Sequence, residues 1–261
     1  MPAHAAAVGR VVRLGKREVK HDARNLQLAR YLEEPTVLPR VPDRAEWSKK
    51  VAAWPMYAND KLGDCTCAAV GHMEEAWSAN IDKPEVPDEQ AVLDLYWATG
   101  TEDVGRYCLD VLNYWQSTGF GGDRERVMAF VQIDPRNREH VELACWMFGG
   151  VYLGVGLPKS AQTQKDEWTV VDGPDAEPWS WGGHCVNLVD YTGERGPVCV
   201  TWGRLMTMTW EFFDKYCDEA YAIISPDWFN SELVSPVGFN FDELKKDLAA
   251  IKKAEAAPAP H

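Results

Sequence analysis

The spacing of apolar residues changes from a helical pattern to a strand pattern at Gly149-Gly150. Of all the sequence features, this change places the strongest constraint on the fold class. Before it, apolar residues recur at helical spacing without internal proline over residues 65–77, 88–99, 107–117 and 137–147. After it, β-branched and aromatic residues predict strands over 151–157, 184–191, 197–203 and 221–225, with one further helix at about 209–217. A helical lobe followed by a lobe of antiparallel strands is an α+β arrangement with a cleft between the lobes.

The two ends of the chain differ from this central region. Residues 1–38 carry no sustained hydrophobic period and predict an extended N-terminal arm. The domain is predicted over 39–230, with a helical lobe at about 60–148 and a sheet lobe at about 149–230. Residues 231–261 predict an amphipathic helix, beginning at Phe241, that fades into a disordered Ala-Pro tail.

Composition excludes several functional classes. The chain has 261 residues, 46% of them hydrophobic, so it can bury its own core. Its 27 basic and 40 acidic residues give a net charge of −13, which disfavours nucleic acid as a partner. No apolar run is long enough for a signal peptide or a membrane span. The seven cysteines are an odd number without framework spacing, which favours a reducing, cytoplasmic compartment.

Cys65 is the candidate nucleophile, because it begins a predicted helix directly after a Gly63-Asp64 turn. Free backbone N–H groups and the helix dipole stabilise a thiolate at that position, so we expect Cys65 to react faster than the other six thiols. Cys67 projects about 200° around the helix from Cys65 and is predicted to pack in the core. His184, which follows Gly182-Gly183 and opens a strand, is the candidate base.

The same residues do not predict a metal site. Cys65 and His72 share a helix face but lie about 10 Å apart along it, whereas zinc requires ligands within about 2.0–2.3 Å. We therefore expect no metal and no cofactor.

Three blocks carry a resemblance to a known family. They are residues 38–77, which include Trp47, Asn59 and Cys65; GGHCVNLVDY, which includes His184; and VCVTWG, which includes Trp202. In this order and spacing they resemble the papain-like cysteine peptidases over residues 39–225. The resemblance implies a two-lobe fold, with a helical first lobe and an antiparallel sheet or barrel second lobe. It also implies a Cys65–His184 dyad in the cleft.

The resemblance assigns supporting roles and shows where this chain departs from the family. Asn59 stands where the family carries its oxyanion glutamine, and Trp202 stands where a tryptophan shields the histidine. Val200 occupies the position of the asparagine that orients the imidazole, and valine cannot accept a hydrogen bond. Thr201 is expected to point to the other strand face. The dyad therefore lacks a third member in this interpretation, and turnover would be attenuated.

The leading hypothesis is a cysteine hydrolase that cleaves peptide or related amide bonds of a peptide or protein substrate through a thioacyl intermediate. One alternative is a papain-fold interaction or assembly protein with weak or no turnover, cytoplasmic or virion-associated in a bacterial or phage setting. Its arm at 1–38, which does not resemble the family's inhibitory propeptide, would contact the assembly partner. The other alternative is a thiol-dependent cell-wall amidase or transpeptidase.

Overall fold

A computed structural model describes residues 12–22, 25–28, 40–121 and 126–242. Its α-helices are α1 (Cys65–Asn80), α2 (Glu89–Ala98), α3 (Cys108–Ser117), α4 (Arg138–Phe148) and α5 (Trp210–Tyr216). Each lies within a few residues of a helix predicted from apolar spacing. Asp88, Asn137 and Thr209 cap α2, α4 and α5, and each side chain accepts a backbone N–H of the first turn. The C-terminal helix is predicted to begin at Phe241. Beyond Asp242 it lies outside the described residues.

The strands of the described residues form one sheet. They are β1 (Leu26–Gln27), β2 (Arg44–Glu46), β3 (Ala129–Ile133), β4 (Val151–Leu157), β5 (Glu167–Trp168), β6 (Gly182–Thr192), β7 (Gly196–Thr201), β8 (Arg204–Met208) and β9 (Cys217–Ile224). The strand order is β1-β3-β9-β4-β6-β7-β8-β5, and β2 pairs with β6. Its centre is antiparallel, as expected, and the short strands β1 and β5 add in parallel at the two ends. The α+β prediction is therefore confirmed.

The sheet begins earlier in the chain than the sequence pattern indicates. β3 lies inside the range predicted for the helical lobe, yet it pairs with β9 from Ala129–Ile224 to Ile133–Ala220. Its five residues are too few to separate a strand from a helical turn by periodicity alone.

Helix α1 lies at the centre of the molecule. Nearly all of its residues are buried, among them Val70 and Trp77. It packs against β6 on one side and against α2 and α3 on another. The Trp77 indole donates a hydrogen bond to the Phe148 carbonyl at 2.8 Å and stacks on Trp115. A helix that is buried on nearly every side is enclosed by its neighbours, so both ends of α1 are held in place.

The connection between α4 and β4 is held by glycine. Gly149 has a left-handed backbone with φ of 72° and caps α4 through its N–H to the Cys145 carbonyl. A Cβ atom at Gly149 would lie 2.6 Å from Cζ3 of Trp228 and 2.7 Å from Cδ1 of Trp77. The position therefore requires both the backbone freedom and the small size of glycine.

We predict that Gly149→Ala lowers the free energy of unfolding by about 2–4 kcal/mol, since left-handed strain and overpacking add. Gly121→Ala is the matched control, because Gly121 has a φ of 79° but no atom of the described residues lies within 4 Å of the added methyl group. It should cost only the backbone strain, about 1–2 kcal/mol. Urea unfolding of both variants measures the difference, and equal losses would show that the contact with the two tryptophans is not limiting.

No helix within the described ranges has the length and apolar character that a membrane crossing requires.

Candidate active site

Cys65 is the first residue of α1 and is buried, with 1% of its surface exposed. Its thiol contacts the backbone of Cys185 on β6 and the backbone of Gly15. Burial raises the pKa of this thiol above its ordinary range, and hydrogen bonds from those two backbones oppose the rise without overcoming it. The thiol is therefore neutral in this structure, whereas the sequence predicts a stabilised thiolate.

His184 lies on β6, next to Cys185, and is also 1% exposed. Trp202 stacks on its ring with 4.4 Å between centroids and 16° between planes, which shields the imidazole from water. Its Nε2 lies 2.7 Å from Oγ1 of Thr201, whereas its buried Nδ1 has no hydrogen-bond partner within the described residues. Burial, assisted by His72, lowers the pKa of His184 to about 3, so the imidazole is neutral.

The expectation that Thr201 points away from the histidine is wrong. Val200 pairs with Asn187, so Thr201 lies on the face of the sheet that also carries His184. Val200 faces the other way and packs with Ala76 and Val189. A register shift between Leu188 and Asp190 determines which residues of β7 lie on the same face of the sheet as His184. The sequence pattern does not show this shift.

Asn59 lies in the loop before α1 and is buried. The preceding Tyr57 and Ala58 both have left-handed backbones, which turn the loop toward the start of the helix. The amide nitrogen of Asn59 donates to the Leu62 carbonyl at 3.2 Å. The Asn59 side chain also interacts with the Asp64 carboxyl group, which takes up its second amide hydrogen.

Asp64, directly before the nucleophile candidate, is fully buried. Burial raises its pKa to about 8. Its carboxyl group is therefore mostly protonated at neutral pH, and it places little negative charge beside Cys65.

The cleft is occupied by the chain's own N-terminal arm, in residues 12–20. The Lys16 N–H donates to the Gly183 carbonyl at 3.0 Å on the sheet side. On the helical side, the Arg106 N–H donates to the Gly15 carbonyl at 2.7 Å, and the Arg17 N–H donates to the Arg106 carbonyl at 2.9 Å. The arm thus forms backbone hydrogen bonds with both walls of the cleft, as an extended peptide would.

Two further bonds tie the arm to residues of the candidate site. The Arg13 N–H donates to the Asn59 carbonyl, and the Trp202 indole donates to the Arg13 carbonyl, both at 3.0 Å. Gly15 lies so close to the loop before α1 that a Cβ atom on it would overlap the carbonyl group of Gly63. Sequence reasoning missed this placement, because the arm has no hydrophobic period and its partners lie far along the chain.

The other sulfur and imidazole groups do not join the site. Cys67 is fully buried in the core around α1, and His72 bonds to the Pro55 carbonyl through Nε2 at 2.8 Å. All seven cysteines are free thiols and buried. Among the residues that the structure describes, no three His, Cys, Asp or Glu side chains converge as metal ligands.

Several solved structures of cysteine proteases superimpose on this chain. Xylellain from Xylella fastidiosa superimposes with a TM-score of 0.65 and 13% identity, over 83% of this chain and 97% of that one. This chain has a papain-like fold. The cysteine protease CMS1MS2 of Carica candamarcensis has a TM-score of 0.53 and 13% identity, over 71% of this chain and 99% of its own. Procathepsin L 3 of Tenebrio molitor has a TM-score of 0.54 and 13% identity, over 83% and 77%.

Sequence comparison adds nothing to this likeness. No protein-family model matches the chain, and no curated protein matches it in sequence. At 13% identity the likeness to the papain-like structures defines the fold alone, and the chemistry must be argued from the residues of the cleft.

We predict that Thr201→Val destabilises the protein by about 1–3 kcal/mol, because it leaves Nε2 of a buried imidazole without a partner at nearly constant volume. Thr201→Ser keeps the hydroxyl group and should lose only about 0.8 kcal/mol for the missing methyl group. Urea unfolding gives the energies, and ¹⁵N chemical shifts of His184 report its tautomer. A serine variant that is as unstable as the valine variant would show that the hydroxyl does not hold the ring.

Proposed function

We propose that this chain is a cysteine peptidase in which Cys65 is the nucleophile and His184 the base. The thiol attacks the carbonyl carbon of a peptide bond, and its proton passes to the imidazole. The imidazole then delivers that proton to the leaving amine, and water hydrolyses the thioacyl intermediate. The reaction requires no cofactor.

One observation carries the proposal: the cleft already binds an extended peptide. The arm forms backbone hydrogen bonds to Gly183, directly before His184, and to Arg106 on the opposite wall. The Gly15 backbone of this peptide contacts the Cys65 thiol at the start of α1. A substrate backbone in the same place would bring a carbonyl group to the thiol.

The contacts of the imidazole support its role as a base. In the tautomer that we propose, Nε2 of His184 donates to the Thr201 hydroxyl, 2.7 Å away, which leaves Nδ1 unprotonated and able to take the thiol proton. Thr201 is thus a positioning residue in the role that the sequence could not assign to Val200. The backbone N–H of Cys65 and the side-chain amide of Asn59 are the donors proposed for the oxyanion, and Asn59 would exchange its hydrogen bond with Asp64 for one to the oxyanion.

The arm holds the site in a closed, unreactive state. With the arm in place, burial keeps the pKa of Cys65 high and the pKa of His184 at about 3, so proton transfer between them is unfavourable. Displacement of the arm admits water and substrate and relieves this desolvation. The helix N-terminus then favours the thiolate.

The two alternative functions gain no support from the site. The assembly role was suggested by the missing orienting residue and by the arm. Thr201 shares a hydrogen bond with the imidazole, and residues 12–20 of the arm lie in the cleft. Nothing in the described residues favours an amine over water as the second acceptor, so transpeptidation has no observation of its own.

We predict that Lys16→Ala makes Cys65 react with iodoacetamide at pH 7 at least tenfold faster than in the unaltered chain. The substitution removes the cation that pairs with buried Glu219 at 2.9 Å, and breaking a buried pair destabilises the closed state. Lys20→Ala is the matched control on the same arm, because its pair with Asp110 is exposed and worth little. Peptide mass spectrometry of quenched samples gives the rate at Cys65, and similar rates in the two variants would show that the arm does not gate the thiol.

We predict that the Lys16→Ala chain hydrolyses members of a mixed peptide library, and that adding Cys65→Ala or His184→Ala abolishes cleavage. Cys67→Ala, also a buried cysteine of α1, should retain it. Asn59→Ala should lower kcat about 100-fold, as loss of an oxyanion donor does. Val200→Asn should bring no gain, since that side chain faces Ala76 and Val189.

Two outcomes would contradict the proposal. Cleavage that survives both alanine substitutions would exclude the dyad. Absence of cleavage in a Lys16→Ala chain whose Cys65 has become reactive would exclude peptidase activity and leave an interaction role.

A further inference from the structure

The side chain of Lys16 fills a closed pocket beside the candidate active site. Its Nζ lies 2.9 Å from Oε1 of Glu219 and 3.0 Å from Oδ1 of Asp218, both on β9. None of the lysine side chain is exposed, and only 1% of the Glu219 side chain is. Full burial of an ammonium group and its carboxylate is rare for a surface arm and needs a preformed environment.

The walls of the pocket match the two parts of a lysine side chain. On one side, Nζ lies 4.5 Å from the centroid of the Trp179 ring, a cation–π distance. On the other side, the lysine stem passes so close to Gly154 of β4 that a Cβ atom there would overlap Cε of Lys16. The pocket therefore has a narrow channel for methylene groups and a charged end.

Further glycines hold the tryptophan wall in position. Gly156 and Gly183 are direct partners in the β4–β6 ladder, and a Cβ atom on either would overlap the Trp179 ring. The Trp179 backbone N–H donates to the Gly156 carbonyl at 3.1 Å, and its φ of 65° is left-handed. A bulky residue in a strained backbone conformation, accommodated by glycines on two strands, is typical of a functional site.

The charge of the pocket requires a cation. The Tyr221 hydroxyl donates to Oε2 of Glu219 at 3.0 Å, which fixes the carboxylate. Burial acts to lower the pKa of Lys16, but electrostatic attraction to the Glu219 and Asp218 carboxyl groups opposes this, and the pKa is raised overall, so the lysine stays charged. An uncharged side chain of the same shape would leave a buried carboxylate without a counter-ion.

The pocket lies where a substrate side chain would enter it. Lys16 donates its backbone N–H to Gly183, which directly precedes His184, and the neighbouring Gly15 contacts Cys65. We propose that the pocket formed by Gly154, Trp179, Asp218 and Glu219 is the specificity pocket of the enzyme, that it selects a lysine side chain of the substrate, and that Lys16 is its internal occupant. This inference rests on the proposed peptidase function and names its substrate class.

Binding to an unreactive chain tests the pocket without relying on catalysis. The full chain carrying Cys65→Ala and Lys16→Ala is titrated with a fluorescein-labelled peptide of residues 12–20, VRLGKREVK, and with its analogue that has norleucine in place of Lys16. Norleucine keeps the methylene stem and lacks the ammonium group. Residual competition from the arm affects both peptides equally, so the ratio of the two Kd values isolates the charge.

We expect the lysine peptide to bind at least tenfold more tightly than the norleucine peptide. Glu219→Gln should reduce this preference to less than about threefold, and Asp218→Asn, at the partly exposed carboxylate, should reduce it by a smaller factor. If Glu219→Gln does not fold, the Asp218→Asn result decides. Glu177→Gln, at an exposed glutamate outside the pocket, should leave the preference unchanged. Equal affinity for the two peptides would overturn the proposal.

Hydrolysis by the Lys16→Ala chain then separates the two proposals. Cleavage of library peptides with lysine enriched at one fixed position relative to the cut supports both. Cleavage without that enrichment overturns the lysine pocket and leaves the peptidase. Preferential binding of the lysine peptide without any cleavage overturns the peptidase and leaves a lysine-binding cleft.

Discussion

The burial of α1 on all sides is the constraint from which the candidate site follows. Its core contacts, including the Trp77–Trp115 stack, fix the helix against β6, and its first residue cannot shift without disturbing them. The thiol of Cys65 is therefore held beside the backbone of Cys185. Burial of the helix start also raises the pKa of Asp64 to about 8, which removes a negative charge that would oppose a thiolate. One packing arrangement thus sets both the position and the electrostatics of the proposed nucleophile.

Local patterns in the sequence were sufficient to predict the helices and to name the two candidate residues of the proposed dyad. Asp88, Asn137 and Thr209 mark helix starts because each cap is a short-range interaction. Cys65 and His184 closely follow glycines that the sequence shows directly. The sequence could not predict how the residues of β7 align with those of β6, because this alignment depends on a register shift in β6. Alternation correctly places Val200 and Thr201 on opposite faces but does not say which face holds the histidine.

The position of the arm could not be predicted for a different reason. Its partners are backbone groups of Asn59, Arg106 and Gly183, and backbone groups leave no trace in side-chain pattern. Only Gly15 and the glycines near Lys16 carry a signal, and each glycine taken alone indicates a turn or a bulge. Only the paired strands show that these glycines together make room for the arm and for Trp179.

The strand β1 gives the arm a property that a separate peptide in the cleft would lack. Leu26 and Gln27 pair with Val131 and Gln132 on β3, so the chain is tied to the sheet a few residues after it leaves the cleft. A segment tethered over such a short distance rebinds at an effective concentration in the millimolar range. Any free peptide must compete with that concentration, and dilution of the protein does not weaken the arm. A single cut between residues 12–20 and β1 would make rebinding of the arm bimolecular. The cleaved arm could then diffuse away from the cleft and would not return at low protein concentration.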